Sequence, residues 1–221
     1  TGSFEQYLDI VVGDPTVVRN AYQRVYDMIL SYGTERYRRF KRDVVRYSFF
    51  ADPFDGGADA VFGLDEPLMD LVDVFRAAAE GYGADRRILL LHGPVGSSKS
   101  TIARLLKKGL EHYSRTDAGA LYTYSWMLDE HAGPSAKTHE FPCPMHEDPL
   151  KLVPDRARAA ILDKLNEAYT ADATRRGRLR LTGQVNPFCR KVLGDLMLHY
   201  DGDWRQVMTH VRVRRIALSE K

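Results

Sequence analysis

Apolar residues recur every third or fourth position early in the chain and gather into short runs further on. Val18, Tyr22, Val25, Ile29 and Tyr32 keep the helical interval, so this stretch predicts a helix with one buried face. Breaks fall at Gly13-Asp14-Pro15 and Gly33, and Ser3 and Asp14 are placed to cap helices, Pro15 being suited to a first helical turn. Tyr37, Phe40, Val44 and Tyr47 continue the interval and predict a further helix over 36–47. Leu68, Leu71, Val72 and Phe75 mark another over 67–80.

Beyond Gly81 the pattern changes. The aliphatic run Ile88–Leu91 and the Tyr-, Thr- and Trp-rich run 120–127 read as strands, with a helix over 101–112 between them. Residues 128–154 contain five prolines and no helical period, which predicts a long loop. A helix from Asp155 to about Ala173 turns Ala159, Leu162, Leu165 and Tyr169 inward, and Asn186-Pro187 opens another to about His199. Val211 and Val213 alternate with Arg and His over 209–219, a final strand. Strands alternating with helices predict an α/β fold with a parallel sheet. Asp52-Pro53-Phe54-Asp55-Gly56-Gly57 reads as the joint between an N-terminal helical region, 1–55, and a core, 56–221.

The composition, 28% charged and 44% hydrophobic in 221 residues, is that of an ordinary globular chain. A net charge of +2 argues neither for nor against a polyanionic partner. Six cations lie between Arg36 and Arg46, but on a helix they form a solvated face over a packed one, so a nucleic-acid partner is not expected. Two cysteines make no disulfide framework, which suits a reducing cytoplasm. No run approaches the ~20 apolar residues that span a bilayer, so no membrane partner is expected.

Chemistry concentrates in Gly93-Pro94-Val95-Gly96-Ser97-Ser98-Lys99-Ser100, between the aliphatic run and a helix that begins near Thr101. Such a turn aims backbone N–H groups at a phosphate, and the helix N-terminus adds partial positive charge. Lys99 is placed for the β- and γ-phosphates of ATP and Ser100 for Mg²⁺ through its hydroxyl. Ser98 stands where this P-loop pattern has glycine, so the loop is expected to be strained or shifted there.

The stretch Val61–Glu111 resembles the opening of an AAA+ ATPase module. On that resemblance Val61, Phe62 and Gly63 line the adenine pocket. The wording GPVGSSKSTIARLLKKGLE is similar to the PrkA-type serine protein kinases of bacteria, as are Phe141–Pro149, Leu152–Pro154 and Asn186–Cys189. The resemblance implies a P-loop sheet flanked by helices and a bacterial, cytoplasmic protein. It further implies ATP-dependent phosphorylation or remodelling of protein substrates, and self-association into an oligomer or ring.

Hydrolysis requires a carboxylate pair on a hydrophobic strand. Asp129-Glu130 resembles one but follows the wrong strand, and the resemblance puts the acidic strand beyond Lys221, so poor turnover is expected. A small-molecule P-loop kinase and a non-catalytic assembly module are the alternatives. Cys143-x-x-His146 with His139 and Cys189 could ligate zinc, but ordinary thiols are the better reading.

Overall fold

The computed structural model describes residues 1–84, 88–129, 138–172, 175 and 177–219. Along the chain, β1 (Gly2–Ser3) leads into α1 (Phe4–Gly13), and α2 spans Ala21–Ser31. A hairpin follows, β2 (Thr34–Arg39) and β3 (Arg42–Tyr47). Next come α3 (Asp65–Glu80), α4 (Lys99–Arg115), β4 (Leu121–Asp129) and β5 (Thr138–Pro142). The remaining elements are α5 (Asp155–Ala171), α6 (Pro187–His199), α7 (Trp204–Met208) and β6 (Val211–Ile216).

These elements sort into two compact units. The first takes Thr1–Val18, Ala120–Ala171 and Leu179–Ala217; the second is built mainly from Arg19–Gly119. The units do not divide the chain near residue 55, since α1 belongs with β4 and β6 while α2 packs on α3 and α4.

In the first unit the sheet order is β1-β6-β4-β5, and every pairing is antiparallel. The parallel sheet expected from the alternation of strands and helices is therefore not the one these residues build. Strand direction is a tertiary choice: β5 folds straight back along β4, and β6 enters against it from the far end of the sequence. Tyr124 and Trp126 are fully buried in a core that also holds Phe4, Tyr7, Leu150, Leu165 and Tyr169, whereas Ala159, expected to point inward, is exposed. Ser3 does cap α1: its Oγ accepts from Gln6 N at 3.2 Å, and Gln6 Oε1 accepts from Ser3 N at 2.9 Å.

Two segments of this unit meet through Asn186. Its Nδ2 donates to Glu147 Oε2 at 2.8 Å and to Cys143 Sγ at 3.3 Å, while its Oδ1 accepts from Cys189 N at 3.1 Å and caps α6. Burial opposes ionisation of Glu147, but the N–H groups of Asn186 and the nearby Lys151 win and hold its carboxyl below the ordinary range. Cys143 is buried, and burial pushes its thiol up. Among the described residues, no group of three or more His, Cys, Asp or Glu side chains is placed to hold a metal.

In the second unit α2, α3 and α4 close on Met28, Ile29, Phe49, Val72 and Leu105. Gly109 lets α4 approach closely: a Cβ there would meet Phe49 Cε2 at 2.5 Å and Met28 Sδ at 2.8 Å. Residues 36–47 are a hairpin, not the expected helix. The register pairs Tyr37 with Val44 across the two strands, so their spacing of seven reflects one cross-strand contact and not two helical turns. Ile88–Leu91 takes no strand pairing among the described residues, and Ile88 and Leu90 are 97% and 82% exposed. Strand structure needs a hydrogen-bonded neighbour, which an aliphatic run does not itself supply.

Candidate nucleotide-binding site

The site is built at the start of α4. Ile102 N donates to Ser98 O at 2.8 Å, so the N–H groups of Lys99, Ser100 and Thr101 precede the helical ladder. Ser98 is the N-cap residue, yet its side chain makes no capping bond, which leaves the positive end of the helix dipole open to an anion. Its backbone sits in the left-handed region, φ 57° and ψ 13°. A glycine takes that conformation freely and a serine takes it with strain. The departure from the P-loop pattern thus falls on a position whose backbone has kept the conformation that glycine would favour.

Upstream, Gly96 is also left-handed, with φ 83°. Gly93 is needed for space: a Cβ there would lie 2.9 Å from Ser97 Oγ and 4.0 Å from Lys99 Nζ. Lys99 folds back into this room. Its ammonium donates to Gly93 O at 2.9 Å, Pro94 O at 2.5 Å and Ser97 Oγ at 2.9 Å. Ser97 Oγ donates in turn to Pro94 O at 2.8 Å. The turn thus forms a cradle around one cation, with Val95 fully exposed at its crest. Residues 93–101 fit a polyphosphate: a cation inside the loop, donors at the helix start, and no carboxylate among them.

Val61 and Gly63 line a cavity of about 310 Å³ in the same unit, together with Phe62. Its other walls come from Arg46, Tyr47, Ser48, Phe50, Ala51, Asp65 and Leu68. That volume lies at the small end of ligand pockets, roughly 300–1,000 Å³. Val61 N donates to Phe50 O at 2.9 Å, which fixes one wall, while Phe62 is 81% exposed at the rim. Asp65 accepts from Tyr37 Oη at 2.7 Å and from Arg46 Nε and Nη2 at 3.3 and 3.2 Å. The Arg46 bonds first, then Tyr37, hold its carboxyl below the ordinary range. Tyr47, Phe50 and Arg46 were not found from the sequence because they arrive from β3 and the turn after it, and no local pattern ties them to Val61.

Cavity and loop are braced through α4. Arg104 grips Asp59 with two bonds, 2.9 and 2.6 Å, and Lys108 pairs with Asp55, with Asp59 at 3.5 Å and with the buried Asp52 at 3.8 Å. Asp52 also accepts from Asp59 N at 2.9 Å. The loop that leads into Val61 is in this way tied to the helix that starts with Lys99. Asp129, by contrast, lies at the end of β4, where its Oδ1 accepts from Thr138 Oγ1 at 2.6 Å. Glu130 lies outside the described residues.

A glycine-rich cradle closed by a lysine at the start of a helix defines a P-loop nucleotide-binding module of the AAA type. The chain belongs to the PrkA AAA domain family, which matches residues 2–221. A protein of Bacillus subtilis (strain 168) named "ATP-dependent protease PrkA" is 34% identical over 220 residues, covering 99% of this chain and 28% of that protein. An uncharacterized protein in the gldA 5′ region of Geobacillus stearothermophilus is 36% identical over 88 residues, 39% of this chain and 79% of its own length. No solved structure matches. The name of the Bacillus relative speaks of proteolysis, where the resemblance had implied serine phosphorylation. This chain is an ATP-binding AAA domain. No helix among the described residues is long and apolar enough to cross a membrane.

Proposed function

We propose that this chain couples Mg·ATP binding to mechanical or chemical work on protein substrates. The observation that carries the reading is the Lys99 ammonium held inside the 93–97 turn at the open N-terminus of α4. On binding, phosphate oxygens take over from the Gly93, Pro94 and Ser97 oxygens as acceptors for Lys99. Backbone N–H groups at 99–101 add further donors, and the Ser100 hydroxyl is the Mg²⁺ ligand. The base occupies the cavity beside Val61 and Gly63, with Tyr47 and Phe50 as walls.

Bound Mg²⁺ would shield the phosphate charge during any transfer. Phosphorylation of protein serines is the finer alternative implied by the sequence resemblance. The name of the Bacillus relative favours ATP-driven handling of proteins instead. An oligomer or ring of such modules is part of the same proposal.

Calorimetric titration of Mg·ATP and Mg·ADP into the chain, with Lys99→Ala alongside, tests the reading. Saturable binding that the variant loses supports it. Wild-type heat no larger than that of the variant refutes the cradle role.

A further inference from the structure

The hairpin of β2 and β3 also presents a strongly basic surface. Between Thr34 and Tyr47 it has six cations, Arg36, Arg38, Arg39, Lys41, Arg42 and Arg46, against two carboxylates, Glu35 and Asp43. The whole chain has a formal charge of only +2, so the hairpin is more positive than the molecule that bears it. Arg46 is committed to Asp65, and Arg42 leans on Glu66 at 3.7 Å with most of its side chain in solvent. Among the described residues no ion pair engages Arg36, Arg38 or Lys41.

Three features at the tip work against folding stability. Phe40 and Lys41 form the two-residue turn with φ of 47° and 69°, a conformation suited to Asn-Gly and strained for a ring-bearing residue. Arg39 and Arg42 stand directly opposite each other across the strands, a repulsive pair. Phe40 is 89% exposed, and the Arg39 guanidinium lies 5.7 Å from its ring centroid. The strain and the like-charge repulsion at this tip are costs that a purely structural role does not explain. A ligand that offers phosphates to the cations and a flat π-face to the ring would.

We propose that this tip binds single-stranded nucleic acid, with Phe40 stacking on a base and Arg36, Arg38, Arg39 and Lys41 contacting flanking phosphates. Duplex bases have no free face for the ring, an acidic polypeptide would pair with the cations and leave the ring in water, and one phenyl group among charges is a poor anchor for a bilayer.

The test is fluorescence anisotropy of a labelled oligothymidylate of about 20 nucleotides with the 221-residue chain across a salt series. Binding should weaken with salt, and Arg36→Ala with Arg38→Ala should flatten the log–log slope by about 1.4. Phe40→Gly should lower affinity about tenfold. Glycine suits the turn, so an unchanged circular-dichroism melt separates this loss from unfolding. Phe40→Trp should retain binding and show quenched emission on adding oligonucleotide. No binding at low salt overturns the proposal, as does equal affinity in Phe40→Gly. Equal affinity for a duplex, or for vesicles containing phosphatidylserine, overturns it in favour of simple charge or a lipid surface. Loss of binding in Lys99→Ala alone would move the site to the phosphate cradle.

Discussion

Lys99 Nζ lies 2.9 Å from the carbonyl oxygen of Gly93, six residues upstream, and so closes the phosphate loop from within. Charge-assisted bonds of this kind contribute about 1.5–3 kcal/mol each when they re-form on a ligand. Lys99→Ala should therefore weaken Mg·ATP binding roughly 10- to 100-fold. The melting temperature should hardly move, since the loop is exposed and the helix core at Ile102 and Leu105 is untouched. Calorimetry and a thermal melt on the same sample check both halves.

Ser98 holds a left-handed backbone that an L side chain adopts at a cost. Ser98→Gly removes that strain while adding chain entropy to the unfolded state, for a net gain of up to about 1 kcal/mol. Nucleotide affinity should stay equal or rise, because the serine side chain caps nothing. A lower melting temperature together with weaker binding would show that the hydroxyl has a role that the loop geometry does not reveal.

Gly109 faces Phe49 and Met28 with no room for a methyl group. Alanine gains about 1 kcal/mol in helix propensity, but overpacking against the fully buried Phe49 costs about 1–3 kcal/mol. Gly109→Ala should accordingly destabilise the second unit, seen as an earlier chemical-denaturation midpoint. Phe49→Leu in the same chain should recover part of the loss by opening space.

How far the sequence discloses this molecule depends on the distance between interacting residues. The glycine-rich turn was legible as a local structure because turn, lysine and helix start lie within eight consecutive residues, Gly93 to Ser100. Val61 and Gly63 were legible through resemblance and do line a cavity, but Arg46 and Tyr47 reach it from a hairpin whose strands look helical on paper. Tyr37 and Val44 fit both patterns, and in the strand form Tyr37 and Arg46 dock on Asp65, a residue far along the chain. Sheet direction was illegible for the same reason: Trp126 pairs with Val211, a partner chosen across most of the first unit.

Acid should loosen the second unit. Asp59, through its Arg104 bonds, and Asp52, through the Asp59 N–H, are held below the ordinary carboxylate range, as is Asp65. A depressed folded-state pKa stabilises the fold above the unfolded value, about 4, and that contribution disappears as pH falls through and below it. Thermal melts from pH 7 down to pH 3 should be flat at first and then decline. Asp59→Asn should make the decline shallower, and an unaltered acid limb in that variant would remove Asp59 from the account.

The aliphatic run ahead of the phosphate loop has a practical consequence at the bench. Ile88 and Leu90 offer their side chains to solvent, and Leu89 and Leu91 are about half as exposed, at 42% and 39%. An unpaired, uncharged run of this sort is a ready template for strand addition by a neighbouring molecule. Strand addition at this edge should make concentrated stocks of the chain cloud with time, and Leu90→Lys should slow the rise in turbidity. The stretch of chain that delivers the glycine-rich turn is thus also a place where one molecule can catch on the next.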